Sequence, residues 1–325
     1  MSAQEETLRQ YHQLMQLNAV AQLFRTVRQT GILDLLDQRQ HTAQQLADAL
    51  SLDRDLLQLV LDAVTAAGIV QRYGDDYAIS PAAQLLCQHD ADLGDRSWDR
   101  TRECLTGKGT PEPERLKAYF YAQAATQWTH TASAMQAAEM LDIGGDTMSG
   151  LRILDLGSGS AVWSCAMAFR DKSARVTAVD EPAALAASCN TVDSIGIGDR
   201  FEWIEADPQD VELPADTFDL ALLPQRIGAL TIEAGDQLIG KAAETLKPGG
   251  QLAVLDLFSI PSQDGSGPRL SEAITALRLH IDSGCGSVTT LEAIQQRLQS
   301  AGFSAVQFSF LAASHTNMGM AVGTK

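Results

Sequence analysis

The feature that most constrains the fold is an apolar run that breaks into glycines and is followed by a second run ending in a carboxylate. Residues 151–159 read LRILDLGSG and residues 175–180 read RVTAVD, so Asp180 lies 23 residues beyond Gly157. Strand, glycine turn, apolar helix and acid-ended strand form the pattern of a nucleoside-binding α/β site. The glycines let the backbone approach a ligand without a Cβ in the way, and Asp180 can accept hydrogen bonds from ribose hydroxyls.

The spacing departs from the dinucleotide-binding fingerprint. The third glycine of GxGxxG would fall at Val162, and Asp155 places a carboxylate two residues before the first glycine. A carboxylate repels a pyrophosphate and attracts ammonium and sulfonium charges. We therefore expect S-adenosylmethionine as the cofactor, in preference to NAD.

Strand-like runs alternate with helical patterns and predict a doubly wound parallel sheet. They are LRILDL, RVTAVD, FEWIEAD, FDLALL and QLAVLDLF, and the later runs AVQFSFL and MGMAV predict an antiparallel hairpin at the sheet edge. Ligands bind at the carboxyl ends of strands in such sheets, so Asp207, which ends FEWIEAD, is expected beside Gly157 and Asp180. Its carboxylate can accept a hydrogen bond from an adenine amino group.

The beginning of the chain predicts a mostly helical domain of the winged-helix type over residues 1–100. Thr42 is expected to cap one helix, Leu52 and Asp53 to begin another, and residues 69–80 read as a small hairpin. The candidate recognition helix begins DRD, which would repel phosphates, so a DNA-binding regulator is disfavoured. A platform for a homodimer, paired through the apolar N-terminal helix, is the stronger interpretation.

Residues 101–325 are expected to form the cofactor-binding domain, with a helical linker over about 101–145. The segment Asp90–Arg115 contains GKGTPEPER and predicts a connection or lid. The helical pattern after it is rich in aromatic residues, which either line an aromatic substrate site or pack in an ordinary core. They are Tyr119, Phe120, Tyr121 and Trp128.

Charge and cysteine usage narrow the partners. The chain has 24 basic and 41 acidic residues and a net charge of −17, which disfavours nucleic-acid backbones and anionic membranes. The cysteines lack paired metal-ligand spacing, so no metal is expected. A polar start without a signal-peptide core, and no apolar run of about 20 residues, predict a cytoplasmic protein.

Taken together, these motifs resemble the small-molecule O-methyltransferases of plants and bacteria that carry an N-terminal winged-helix dimerisation domain. The resemblance covers nearly the whole chain and rests on TAQQLADAL, AAGIVQRYGDDYAIS, LDLGSG, VDEP, EADP and LKPGG. It implies a Rossmann-like class I methyltransferase sheet of seven strands with the last one antiparallel, a small-molecule methyl acceptor and S-adenosylmethionine as donor. The residues that it assigns to the cofactor are Asp155, Gly157, Ser158 and Gly159 near the methionine portion, Asp180 and Glu181 near the ribose, Asp207 and Pro208 near the adenine, and Gln225.

The acceptor half departs from the family. The family's general-base histidine, in an LHDW-like motif after the fourth strand, corresponds to Gly228, and the glutamate that orients it corresponds to Ser287. Arg226 is a candidate for orienting an anionic acceptor or lowering the pKa of an acceptor hydroxyl. His280, or alternatively His130, is a candidate proton acceptor.

The expected function is therefore methyl transfer from S-adenosylmethionine to a small, aromatic or polycyclic metabolite. The resemblance favours O-methylation, by proximity and without the usual base. The alternatives are N- or C-methylation, and a catalytically reduced dimer that binds a ligand for regulation.

Overall fold

The structure, a computed structural model, describes residues 3–89, 95–108, 112–259, 268–314 and 316–325. It divides into two compact units, Met1–Asp95 and Arg96–Lys325. Within the described ranges, no helix is both long enough and apolar enough to cross a membrane.

The first unit combines helices with a small antiparallel sheet in the order β1-β3-β2. Its helices are α1 (Ala3–Gln29), α2 (Ile32–Gln38), α3 (Ala43–Leu50), α4 (Arg54–Ala66) and α5 (Pro81–His89), and its strands are β1 (His41–Thr42), β2 (Val70–Tyr73) and β3 (Asp76–Ile79). Thr42 and Gln45 form a capping box at the start of α3. Asp53 accepts a hydrogen bond from the Leu56 N–H, at 2.8 Å, at the start of α4. The predicted cap at Thr42, the helix start beside Asp53 and the hairpin are confirmed.

The second unit is a large mixed sheet with helices on both faces. Its helices are α6 (Asp95–Leu105), α7 (Glu112–Thr126), α8 (Thr131–Met140), α9 (Val162–Arg170), α10 (Pro182–Ser194), α11 (Ile232–Thr245), α12 (Leu270–Ser283) and α13 (Leu291–Ser300), with short 3-10 helices at Gln127–His130, Gly198–Arg200 and Ile227–Ala229. Its strands are β4 (Arg152–Leu156), β5 (Arg175–Asp180), β6 (Phe201–Glu205), β7 (Phe218–Pro224), β8 (Leu246–Ser259), β9 (Thr289–Thr290), β10 (Ala305–Phe310) and β11 (Met318–Thr324).

The strand order of the large sheet is β10-β11-β8-β7-β4-β5-β6, with the two-residue β9 pairing with β8. Neighbours from β6 to β8 pair in parallel, whereas β11 is antiparallel to both β8 and β10. This arrangement confirms the predicted Rossmann-like sheet with its antiparallel last strand. The ends of β4, β5 and β7 meet at one edge, which is where open α/β sheets bind ligands.

Both faces of the sheet are buried. Successive residues of β4 alternate between two apolar cores, with Ile153 in one and Leu154 and Leu156 in the other. The helix that follows the glycine turn, α9, is buried along most of its length, and its Trp163 is fully buried. A strand covered on both faces and followed by a buried helix holds the loop between them in a fixed position.

The predicted lid over Asp90–Arg115 lies partly outside the described residues, which omit 90–94 and 109–111. The described parts belong to α6, to the turn after it and to the first turn of α7. Arg115, on α7, donates hydrogen bonds to the carbonyl oxygens of Gly284, at 3.4 Å, and Ile281, at 3.5 Å. The start of α7 is thus attached to the end of α12.

Candidate active site

Two left-handed glycines shape the loop after β4. Gly157 has φ +87° and Gly159 has φ +59°. Residues other than glycine rarely adopt this region of backbone conformation. The Gly157 N–H donates to the Val179 carbonyl, at 2.8 Å, and the Gly159 N–H donates to Oδ2 of Asp180, at 2.9 Å. The loop is therefore bonded to the end of β5, as the motif predicts for a ligand site.

Asp155 is fully buried at the end of β4. Its Oδ2 accepts a short hydrogen bond from the Ser164 hydroxyl, while its Oδ1 is buried without a hydrogen-bond partner among the described residues. Burial raises the pKa of this carboxyl to about 7, against the opposing effect of the Ser164 hydrogen bond. An unpaired buried oxygen is costly for the protein, and a bound ammonium group would pair with it.

Asp180 and Arg226 form a buried ion pair. Oδ2 of Asp180 accepts from Nη2 of Arg226, and Oδ1 accepts from the Glu181 N–H, at 2.9 Å. The Arg226 guanidinium lies over the Phe120 ring, with Cζ 3.8 Å from the ring centroid. The structure thus places Arg226 on the carboxylate that the sequence assigns to the ribose, rather than on a separate acceptor pocket.

A cavity of about 220 Å³ opens beside this ion pair. Its lining comes from the ends of β5, β6 and β7, from α10 and α11, and from α7. The lining residues are Pro113, Leu116, Lys117, Phe120, Tyr121, Asp180, Glu181, Ala183, Ala184, Asp207, Pro208, Gln209, Arg226, Leu230 and Leu238. The cavity brings four predicted cofactor residues together, namely Asp180, Glu181, Asp207 and Pro208.

The predicted cofactor residues differ in what they contact. Asp207 is exposed and accepts from the Gln209 N–H, at 2.8 Å, while Pro208 is buried. Glu181 forms an ion pair with Lys117, at 3.1 Å. The Ser158 hydroxyl lies 3.1 Å from the Ser188 hydroxyl, in the interior and away from the cavity lining. Ser158 therefore helps to fix the glycine loop against α10.

Gln225, the last predicted cofactor residue, belongs to a chain of amide side chains. It has φ +53°, and its Oε1 accepts from Nε2 of Gln127, at 3.2 Å. Gln127 in turn accepts from the Ser160 N–H, at 2.9 Å. Nε2 of Gln225 lies 3.2 Å from Nε2 of His130, and an amide N–H can only donate, so this imidazole nitrogen accepts.

The two positions that the resemblance assigns to the catalytic dyad are adjacent. The Ser287 N–H donates to the Gly228 carbonyl, at 2.8 Å, and the Gly228 N–H donates to Oδ2 of Asp256, at 2.7 Å. Asp256 is buried, and burial raises its pKa to about 6. A Cβ on Gly228 would lie 3.1 Å from Oδ1 of Asp256, so this carboxylate takes up part of the space that a side chain at position 228 would need.

The remaining candidates lie in different surroundings. His280 is exposed, outside the cavity lining, with Nδ1 3.1 Å from the Gly286 carbonyl. His130 stacks on Trp163 at 6.0 Å between ring centroids, and burial lowers its pKa. Of the aromatic residues on α7, Phe120 and Tyr121 line the cavity. Tyr119 instead accepts a hydrogen bond from Gln123, at 3.2 Å.

Sequence reasoning missed Gln127 and Asp256. Gln127 belongs to no motif, and its role depends on a contact across 33 residues to Ser160. Asp256 lies in β8 directly after Leu255, which pairs with Pro224 at the end of β7, so the rule that places ligands at strand ends could have identified it.

Comparison with known proteins gives one family match and many matches to the fold. Residues 153–250 match the family model described as a methyltransferase domain. A comparison with curated protein sequences finds no match.

Solved structures share the fold over the whole chain. The mitomycin 7-O-methyltransferase MmcR is 16% identical with a TM-score of 0.74, covering 99% of both chains. An O-methyltransferase family protein from Burkholderia thailandensis is 17% identical with a TM-score of 0.73, covering 100% of this chain and 98% of that one. Human N-acetylserotonin methyltransferase, solved with S-adenosylmethionine, is 19% identical with a TM-score of 0.70, covering 100% and 98%.

Proposed function

We propose that this chain, whose methyltransferase domain uses S-adenosylmethionine, methylates a small aromatic or polycyclic metabolite, with oxygen as the favoured acceptor atom. The observation that carries the proposal is the unpaired, buried Oδ1 of Asp155, beside two left-handed glycines and the buried Asp180. In this proposal the ammonium group of the cofactor pairs with Asp155, its ribose with Asp180, and its adenine lies at the cavity edge beside Asp207 and Pro208.

The acceptor half supports transfer by alignment. S-Adenosylmethionine supplies, when bound, an electrophilic methyl carbon on a sulfonium. The protein then has to hold the acceptor atom in line with that carbon, which by itself accelerates a displacement strongly. Gly228 and Ser287 offer no side chain that takes up a proton at neutral pH, so acceptors that are already deprotonated, or that can attack before they lose a proton, are favoured.

Arg226 and His280 are the residues proposed to act on the acceptor. A guanidinium can hold a substrate carboxylate or favour an ionised hydroxyl. For Arg226 this role requires the guanidinium to leave Asp180. For His280 it requires the exposed ring to face the bound acceptor, with the ring nitrogen that does not contact Gly286.

A second candidate is a ligand-binding dimer without transferase activity. It is favoured by the replacement of both members of the dyad, at positions that contact each other directly. Isothermal titration with S-adenosylhomocysteine tests the cofactor site, and a methyl-transfer screen against phenols, amines and carbon acids tests the reaction. Binding with transfer supports the enzyme, and binding without transfer to any class supports the second candidate. Absence of binding would contradict both.

The first unit is proposed to be a winged-helix platform for a homodimer in the cytoplasm. Apolar residues of α1 are exposed to solvent, including Leu8, Leu14 and Leu17. A helix that exposes several large apolar side chains is stabilised by pairing with a second copy. The net charge of −17 argues against nucleic acid or an anionic membrane as a partner.

A further inference from the structure

We infer that Arg226 and the cofactor compete for Asp180, so that the arginine must leave this carboxylate before the ribose binds. The inference rests on the proposed function, because it takes the cavity beside Asp180 as the nucleoside site. It adds a residue that controls cofactor affinity and that no motif indicates.

The hydrogen-bonding capacity of Asp180 is the first argument. An ionised carboxylate offers about four acceptor positions. Two are taken by the backbone N–H groups of Gly159 and Glu181, both at 2.9 Å, and a third by Nη2 of Arg226. A ribose diol brings two hydroxyl donors, and about one position is left. The N–H groups belong to the glycine turn and to the start of α10, so Arg226 is the donor that can move.

The space above Gly157 is the second argument, and it is independent of the first. A glycine at this position leaves room for a ligand to approach the backbone. That room is filled by Arg226, because a Cβ built on Gly157 would overlap its guanidinium. Nε of Arg226 also lies 3.4 Å from the Gly157 carbonyl oxygen, within reach of a weak hydrogen bond.

The arrangement in which Arg226 is paired with Asp180, here called closed, is stabilised by several contacts. The side chains of Arg226 and Asp180 are only 6% and 2% exposed, so solvent screens their attraction little. The Phe120 ring, 3.8 Å from Cζ, adds a cation–π contact. A cofactor therefore binds only the fraction of molecules in which Arg226 has moved away, and its apparent affinity falls by that fraction.

The test is isothermal titration of S-adenosylhomocysteine into wild-type protein, Arg226→Ala and Arg226→Lys, with stopped-flow measurement of the association rate constant. If Arg226 is paired with Asp180 in about nine-tenths of the molecules, Arg226→Ala should bind S-adenosylhomocysteine about tenfold more tightly than wild type. The tighter binding should come from a larger association rate constant. Arg226→Lys keeps the charge but loses the planar stacking group, so an intermediate gain is expected. Arg297→Gln removes an arginine–aspartate pair outside the cavity, with Nε 2.6 Å from Asp236, and should leave the affinity unchanged.

The outcomes separate this inference from the proposed function. Unchanged or weaker binding by Arg226→Ala and Arg226→Lys, with wild-type protein that binds, overturns the competition and leaves the cofactor site intact. Absence of binding by all variants overturns the proposed function and the competition with it. If Arg226→Ala fails to fold, as a thermal melt would reveal, the comparison of Arg226→Lys with wild type decides.

Discussion

Asp155 combines complete burial, one hydrogen bond to Ser164 and one unpaired oxygen. Its raised pKa, about 7, means that the carboxyl changes its charge within the physiological range. The ionised form attracts an ammonium group, whereas the protonated form does not. We therefore expect the proposed cofactor site to be sensitive to pH through Asp155.

We expect the affinity for S-adenosylhomocysteine to rise between pH 6 and pH 8. Below the pKa of Asp155 the ligand has to displace a proton, so affinity should increase up to tenfold per pH unit and level off above about pH 7. Titrations across this range measure the effect. Asp155→Asn should bind more weakly and without this pH dependence, whereas the exposed Asp199→Asn should behave as wild type. A flat profile for wild-type protein would contradict the role of Asp155.

The same carboxyl should lower stability at alkaline pH. Its folded pKa of about 7 lies above the ordinary value of 3.8, so between these values the folded state binds more protons than the unfolded state and stability falls as pH rises. Asp155→Asn removes this loss, and its melting temperature without cofactor should exceed that of wild type by several degrees at pH 8 and by less at pH 5. Equal melting temperatures at pH 8 would contradict the raised pKa.

At the scale of elements, the 3-10 helix Ile227–Ala229 is held in place by hydrogen bonds to neighbouring segments. Gly228 is held between Asp256 and Ser287 by hydrogen bonds of 2.7 and 2.8 Å. A Cβ at Gly228 would lie 3.1 Å from Oδ1 of Asp256 and 3.3 Å from the Ser287 carbonyl oxygen. The backbone around Gly228 therefore leaves little room for a side chain at this position.

Placing at position 228 the histidine that the resemblance implies should therefore fail. We expect Gly228→His to lower the melting temperature by several degrees, because a large side chain is forced between fixed neighbours, and to leave O-methylation of phenols no faster than in wild type. Gly228→Ala is the matched control and should cost less stability. Thermal melts and the phenol transfer assay measure both effects. A stable Gly228→His variant with accelerated transfer would show that only the base was missing.

The chain of amide side chains formed by Gln225 and Gln127 joins the 3-10 helix Gln127–His130 to the glycine loop. Gln127→Leu would leave the buried Ser160 N–H without its acceptor, 2.9 Å away in the structure, at a cost of about 1–3 kcal/mol. We expect a lower unfolding free energy in urea and weaker S-adenosylhomocysteine binding. Gln44→Leu, which removes an exposed amide bonded to Asp48, should change neither.

Sequence predicted the elements better than their side-chain contacts. The strands, caps and hairpin follow from periodicity and turn residues, which act locally. Asp155, Asp180 and Asp207 follow from the rule that places ligands at strand ends. The Arg226–Asp180 pair and the Gln127–Ser160 bond join residues 46 and 33 positions apart, and their geometry depends on packing that no local pattern encodes.

At the scale of the whole molecule, the chain divides into one unit that contains the proposed dimer platform and a second unit that contains the candidate site. Along α1, Leu14 and Leu17 are 68% and 61% exposed, while Val27 near its end is fully buried in the core of the first unit. The end of α1 at Val27 therefore packs in the core of the first unit, whereas Leu14 and Leu17 expose apolar surface to solvent.

The proposed dimer predicts that Leu14→Glu combined with Leu17→Glu converts it to monomers, because charges would be buried at the interface. Light scattering after size-exclusion chromatography measures the mass. Ile195→Glu changes an exposed apolar residue of the second unit and should leave the mass unchanged. A monomeric wild-type protein would contradict the proposed dimer. A double variant that stays dimeric would show that the interface does not lie at Leu14 and Leu17.

The position of β11 affects how the chain folds during its synthesis. β11 follows every other strand of the large sheet in the chain, yet it lies between β8 and β10. Until it has left the ribosome, β8 presents an open edge whose residues Leu252–Leu255 are fully buried in the finished sheet. Such an edge invites pairing with another nascent chain. Slow translation of the last segment would therefore lengthen the time during which aggregation competes with folding.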